Sequence, residues 1–369
     1  MNRTARCLLV LAGGLIGVSP LAAAVVPMPP WREGNIVLPM FRFASGESLS
    51  GVRLHYQTLG TPRRDARGEI VNAVLILHGT GGSGRQFLAP QFAGELFAVG
   101  ALLDSTSHYV ILPDAIGHGG SSKPSDGLHA RFPHYDYADM VMAQHEVVVA
   151  LGARHLRLVM GTLMGGMHTW LWGETYPAFM DALMPLACQP VAIAGRNRMW
   201  REMIAEAIRG DPEWRGGEYS SEPPEGLRTA SDLLLIAGGA PIPLQISYPT
   251  TEAANRYVLQ SVESRMKALD ANDLLYQIEA SRDYDPSAGL ERILAPVMFV
   301  NSSDDFINPP ELGIAEREIR RVRDGTFVLI PASAQTHGHG THTWAAIWKD
   351  RLAELLQHSA PVPDGAKAR

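Results

Sequence analysis

Three short stretches of this chain carry residues of the kind that transfer acyl groups. The first is Gly161-Thr162-Leu163-Met164-Gly165. It lies between the apolar run Leu156–Met160 and a helical pattern from Met164 to Tyr176. A strand, a sharp glycine-flanked turn and a helix lift the central side chain to an apex, and that side chain is normally a nucleophile. Here it is Leu163. Leucine has no nucleophilic atom and no acidic proton, so an acyl-enzyme at this position is chemically excluded. Thr162 is adjacent, but in such a turn its side chain points away from the apex.

The second stretch, His78-Gly79-Thr80-Gly81-Gly82, directly follows the apolar run Ala73–Leu77. A main-chain N–H in such a loop stabilises the oxyanion of acyl transfer. Thr80 is the expected donor, and Met164, the residue after the apex, is the second. Both roles use the backbone, so both survive loss of a serine. A phosphate cradle is the alternative for a Gly-rich loop, but the lysine and Ser/Thr of a P-loop are missing.

The third comprises Asp304-Asp305 and the run from Gln335 to His342, each after an apolar stretch. Nucleophile position, acid and histidine then follow one another in the chain order of an acyl-transfer triad. Asp305 or Asp304 orients an imidazole, and His339 is the base. His337, His339 and His342 also resemble a metal-ligand set. No separate acidic or cysteine partner is evident, so no metal and no other cofactor is expected.

These residues need a rigid platform. Val52, Leu54 and Tyr56 alternate with polar residues, as in an antiparallel strand. Short apolar runs follow at Ala73–Leu77, Tyr109–Leu112, Leu156–Met160, Ala182–Leu186, Val297–Val300 and Phe327–Ile330. Helical patterns at Tyr137–Leu151 and Met164–Tyr176 separate some of them. Such alternation predicts a mainly parallel sheet with helices on both faces. Residues 191–292 have no buried-strand run. They show helical stretches at Arg198–Arg209, Arg228–Ala237 and Glu252–Leu269, and are expected to form a helical cap. The cap divides a core of residues 25–190 and 293–357. Pro-rich residues 25–37 are expected to be an extended lead-in, and residues 358–369 a disordered tail.

Arg3 and Arg6 precede the short apolar stretch Cys7–Val18 and the small residues Ala22-Ala23-Ala24. This predicts a signal peptide over residues 1–24 and export to a periplasmic or extracellular space. The apolar stretch is shorter than the roughly 20 residues of a spanning helix. The 369 residues carry a formal charge of -6 and no basic run. That argues against nucleic acid or a membrane surface as partner. Only Cys188 remains beyond residue 24, within an apolar run, where a buried structural thiol is expected.

With those residues in view, the chain resembles the homoserine O-acetyltransferase branch of the α/β-hydrolases from about Asn72 to Leu355. The resemblance is strongest at Gly161–Trp170, Asp211–Tyr219, Leu269-Asp270-Ala271-Asn272 and Asp305–Pro310. It implies the α/β-hydrolase fold, with Leu163 at the nucleophile position, Asp305 as triad acid and His339 as triad base. It also implies a small acyl or ester compound as substrate or ligand, and a homodimer as one assembly. Three departures stand out. Leu163 replaces the serine, Gly340 replaces an aspartate that helps hold an amino-acid substrate, and Ala268 replaces an arginine. Homoserine acetylation is therefore not expected. Three readings follow: an inactivated acyl hydrolase or acyltransferase relative, a non-catalytic ligand-binding pseudoenzyme, or a catalyst using His339 as base without a covalent step.

Overall fold

The computed structural model describes residues 29–359. The expected signal peptide and residues 360–369 of the expected tail lie outside the described residues.

Eight strands form one sheet in the order β1-β2-β4-β3-β5-β6-β7-β8. They are β1 (Trp31–Arg42), β2 (Ser48–Leu59), β3 (Ala73–Leu77), β4 (Tyr109–Pro113), β5 (Leu158–Thr162), β6 (Leu183–Leu186), β7 (Val297–Ser302) and β8 (Gly325–Ile330). β1 and β2 pair antiparallel, β2 joins β4 antiparallel, and every later pairing is parallel. The parallel strands β3 to β7 are buried along their length, which is why they read as continuous apolar runs.

β7 and β8 are each two residues longer than the apolar runs that predict them, and two other departures from the sequence expectation have a visible cause. β1 replaces much of the Pro-rich lead-in. It is an edge strand whose Ile36 and Leu38 are half-buried against the core while the apolar Val37 is exposed, so its sequence shows no clean alternation, and an edge tolerates Pro39. β5 begins two residues later than the apolar run and continues through Thr162, because Gly161 and Thr162 pair with Pro185 and Leu186 of β6.

The helices are α1 (Pro90–Leu96), α2 (Tyr137–Ala150), α3 (Met164–Thr175), α4 (Gly195–Gly210), α5 (Pro224–Gly238), α6 (Pro241–Ser247), α7 (Thr251–Met266), α8 (Ala271–Glu279), α9 (Ile314–Glu318) and α10 (Lys349–His358). They lie on both faces of the sheet. Leu75 and Leu77 of β3 join a core with Met140 of α2 and Trp170 of α3. Their neighbours Val74 and Ile76 face the other way, into a core with Phe92 of α1 and Leu352 of α10. This is the period-two alternation of a strand applied to two buried faces.

Between β6 and β7 the chain leaves the sheet for α4 to α8. These helices have their own apolar cluster, including Trp200, Ile204, Leu227 and Leu274. α6 and α8 are additional to the three stretches visible in the sequence. α8 is short, but Asp270 caps it by accepting from the Asp273 N–H at 2.8 Å. At the far end α10 runs through His358, so that residue, expected in the tail, is helical. Leu352 and Leu355 are buried and hold its last turns to the core.

Candidate active site

The apex is built from close backbone approaches. A Cβ on Gly161 would sit 2.0 Å from the Gly165 carbonyl oxygen, and one on Gly165 would sit 2.0 Å from that of Leu77. Glycine at both positions lets α3 start flush against β3 and β5. The Leu163 N–H donates to the Leu186 carbonyl at 3.0 Å, and its own carbonyl accepts from the Met167 N–H at 3.0 Å. Held in this way, Leu163 has φ 57° and ψ -117°. That is an unfavourable region for a residue with a Cβ, costing about 1–3 kcal/mol.

The leucine side chain leans on the His78-Gly79-Thr80 loop. A Cβ on Gly79 would lie 2.4 Å from Leu163 Cδ1, so a larger residue there would have to displace the leucine side chain. The loop itself is anchored by His78. Its Nδ1 lies 2.8 Å from the Gly79 carbonyl, and its Nε2 accepts from the Ala115 N–H at 3.0 Å. Burial lowers the His78 pKa and favours the neutral ring with its proton on Nδ1. Thr80 lies in the turn after β3, and Met164 is the first residue of α3. N–H groups in a first helical turn have no intrahelical acceptor, so the Met164 N–H is suited to an oxyanion. Thr162 is fully buried and accepts from Gln86 Nε2 at 3.3 Å, so its hydroxyl is not at the apex.

The acid and base meet across β7 and β8. His339 Nδ1 is 2.9 Å from both Asp305 carboxylate oxygens. Asp305 Oδ1 also accepts the N–H groups of Ile307 at 2.8 Å and Asn308 at 3.1 Å, and Oδ2 accepts from Asn308 Nδ2 at 3.1 Å. Burial alone pushes this carboxyl up. The His339 charge and the hydrogen bonds from His339 and Asn308 outweigh it and hold the pKa below the usual carboxylate range. An ionised Asp305 takes the Nδ1–H, leaving Nε2 as the basic nitrogen.

Asp304 does a different job, which its position beside Asp305 concealed. Its Oδ2 accepts from Thr336 Oγ1 at 2.7 Å and from the Gly338 N–H at 3.3 Å. Asp304 therefore ties down the loop that carries His339, while Asp305 touches the ring. Asn308 and Thr336 were not singled out from sequence. An aspartate followed three residues later by asparagine is the one local signal for the first, as a turn in which a side chain bonds nearby main chain.

The three histidines do not converge. His337 stacks on Trp344 with ring centroids 4.2 Å apart, and His342 is 6.0 Å from His339. Burial, aided by the nearby His339 charge, pushes the His342 pKa down to about 3. Among the described residues no group of three or more His, Cys, Asp or Glu side chains is arranged to hold a metal ion. His118 is buried with Nδ1 3.0 Å from the Ile116 carbonyl. Cys188 is fully buried and burial raises its pKa, so it packs rather than reacts.

The Asp305 shift has a sign that can be measured. Its folded pKa lies below its unfolded value of about 3.9. Its contribution to stability is therefore complete above about pH 4 and is lost as pH falls through the folded value. Urea unfolding of an Asp305→Asn variant between pH 5 and pH 2 is expected to show a flatter acid limb than the unmodified chain. An unchanged slope would mean that the carboxylate gains nothing from its partners.

The comparisons agree with this architecture. Residues 72–332 match the alpha/beta hydrolase fold family. The homoserine O-acetyltransferase of Pelobacter propionicus is 30% identical over 373 aligned residues, covering 90% of this chain and 94% of that protein. A probable acyltransferase of Methanothermobacter thermautotrophicus is 31% identical over 277 residues, covering 74% of this chain and 82% of that protein. Among solved structures, homoserine O-acetyltransferase from Bacillus anthracis superposes with a TM-score of 0.78 at 20% identity, covering 89% of this chain and 98% of that one. Esterase E22 superposes with a TM-score of 0.76, also at 20% identity, covering 89% of this chain and all of that one. This chain belongs to the alpha/beta hydrolase family, in the branch that contains the homoserine O-acetyltransferases.

Proposed function

We propose that this protein is an exported acyl-hydrolase or acyltransferase relative whose covalent chemistry is switched off by Leu163. One observation carries the reading. His339 is held by Asp305 at 2.9 Å while Leu163 occupies the strained apex at φ 57°. A base, its orienting acid and a tight main-chain apex are costly to keep assembled around a leucine, and they match the needs of acyl transfer. The relatives are named acyltransferases and esterases, which supports a small acyl or ester compound as the ligand. Gly340 and Ala268 stand where the resemblance would place substrate-holding charges, so homoserine is not the acceptor.

Leu163→Ser, assayed with p-nitrophenyl acetate, tests this directly. A burst of one nitrophenol per chain followed by turnover is expected. No burst and no turnover in a folded variant overturns the reading. Export rests on the charged and apolar pattern of residues 3–24. Expression in a bacterium, with mass spectrometry of the mature chain, is expected to show a periplasmic protein beginning at Val25.

A second reading, binding of an acyl compound without turnover, is favoured by the packing of Leu163 on Gly79. In that arrangement the leucine covers main chain beside Thr80.

A further inference from the structure

A cavity of about 1160 Å³ lies between the cap and the sheet. It is above the roughly 300–1,000 Å³ of ordinary small-molecule sites. Its walls are mostly apolar, formed by Leu235 of α5, Leu244 of α6, Tyr257 of α7 and Phe306 beyond β7. Tyr248 and Tyr257 stack with ring centroids 4.2 Å apart and give one wall a rigid aromatic surface. Two further lining residues connect this space to the site. Met167 lies one turn along α3 from Leu163, and Asp305 is the acid on His339.

An acetyl group uses almost none of this volume. The charged side chains that line it are Arg196, Asp304, Asp305 and Glu311. Asp304 and Asp305 are engaged with the histidine loop, and the Arg196 guanidinium lies over the Phe306 ring at 3.9 Å while donating to the Phe306 carbonyl. With three carboxylates and one arginine, the lining disfavours an anionic head. It suits an uncharged aliphatic chain.

We propose that this cavity holds the long aliphatic chain of a neutral ester, so that the ligand class is a long-chain acyl ester rather than an acetyl ester. The proposal rests on the acyl-transfer reading of the adjacent site, but its binding arm does not depend on turnover. The unmodified chain keeps Leu163 and cannot form an acyl-enzyme, so equilibrium binding reports the cavity alone.

The test uses purified chain and p-nitrophenyl esters of two to fourteen acyl carbons, followed by intrinsic tryptophan fluorescence. Each methylene moved from water to an apolar wall is worth about 0.8 kcal/mol, or roughly fourfold in Kd. Affinity is expected to rise by about threefold to fourfold per methylene and to level off when the cavity is full. Ala254→Trp, which fills part of the cavity, is expected to shift the plateau to shorter chains. Leu244→Arg, which places a charge in the wall, is expected to flatten the series. Circular dichroism and thermal unfolding establish that each variant is folded.

No dependence on chain length, or the same series in the folded Ala254→Trp and Leu244→Arg variants, overturns the proposal. So does finding that the cleft is filled by a second copy, with a dimer that takes up no ester and that Leu244→Arg dissociates. If Leu163→Ser is inactive on every ester while long chains still bind the unmodified protein, the acyl-transfer reading fails and the cavity assignment stands. If Leu163→Ser turns over acetyl esters while long chains do not bind, the reverse holds.

Discussion

Leu163→Ser is expected to raise hydrolysis of p-nitrophenyl acetate by about 10³-fold or more over the unmodified chain. In proteins with this arrangement the members of the triad act as a unit, and the site without one member retains only about 10³–10⁴-fold catalysis over water. The other members are already placed here. The serine Oγ would attack the ester carbonyl while its proton passes to His339 Nε2, and the C–O bond would break with that proton passing to the departing nitrophenol, which frees Nε2. Water would then release acetate, with His339 again as base. The backbone is set for this, because φ 57° at residue 163 is the strained apex that a nucleophile uses. Removing leucine also clears the side chain from Gly79 and uncovers main chain beside Thr80. The control is the double variant Leu163→Ser with His339→Ala. It is expected to lose the gain almost entirely. Retention of activity in that double variant would assign the hydrolysis to another group.

The second large effect concerns glycines that look alike in sequence and differ in the fold. Gly165→Ala is expected to cost about 3 kcal/mol or more, with little soluble protein as the visible result. Its Cβ would meet the Leu77 carbonyl oxygen at 2.0 Å and the Leu77 carbonyl carbon at 2.3 Å. Both are backbone atoms of β3 and can move only by opening the sheet. Gly79→Ala is expected to cost about 1–3 kcal/mol, because its new Cβ meets the Leu163 side chain, with Cδ1 at 2.4 Å and Cβ and Cγ at 3.0 Å, rather than backbone. That second cost should fall sharply in a Leu163→Ser background, whereas the cost of Gly165→Ala should not. Urea denaturation of the three single and two double variants, beside the unmodified chain, measures both couplings. Equal relief, or none, would show that Leu163 is not what confines Gly79.

Much of this molecule is legible in its residues. The central strands are buried on both faces, so their sequences are unbroken apolar runs, and Ala73–Leu77 coincides with β3 to the residue. The helical patterns Tyr137–Leu151 and Met164–Tyr176 match α2 and α3 to within one residue. The pieces that escaped have physical reasons. β1 is an edge strand whose inward Ile36 and Leu38 are only half-buried while the apolar Val37 faces out, so the alternation is blurred and its pairing with β2 leaves little trace. α8 is only nine residues long, and its burial against the rest of the cap is a tertiary matter.

For the site, residue chemistry determined what cannot happen. Leucine at residue 163 has no atom to attack an ester, whatever surrounds it. Chain order placed an acid and a histidine late in the sequence, and the family resemblance pointed to Asp305 and His339, but the residues alone left Asp304 and Asp305 as alternatives. The tertiary structure shows what each does. It set Asp305 on the His339 ring and Asp304 on the loop beneath, because distances across β7 and β8 depend on register and not on sequence spacing. It also decided where the leucine goes. The side chain lies on Gly79, a residue 84 positions earlier, because β3 and β5 are neighbours in the sheet.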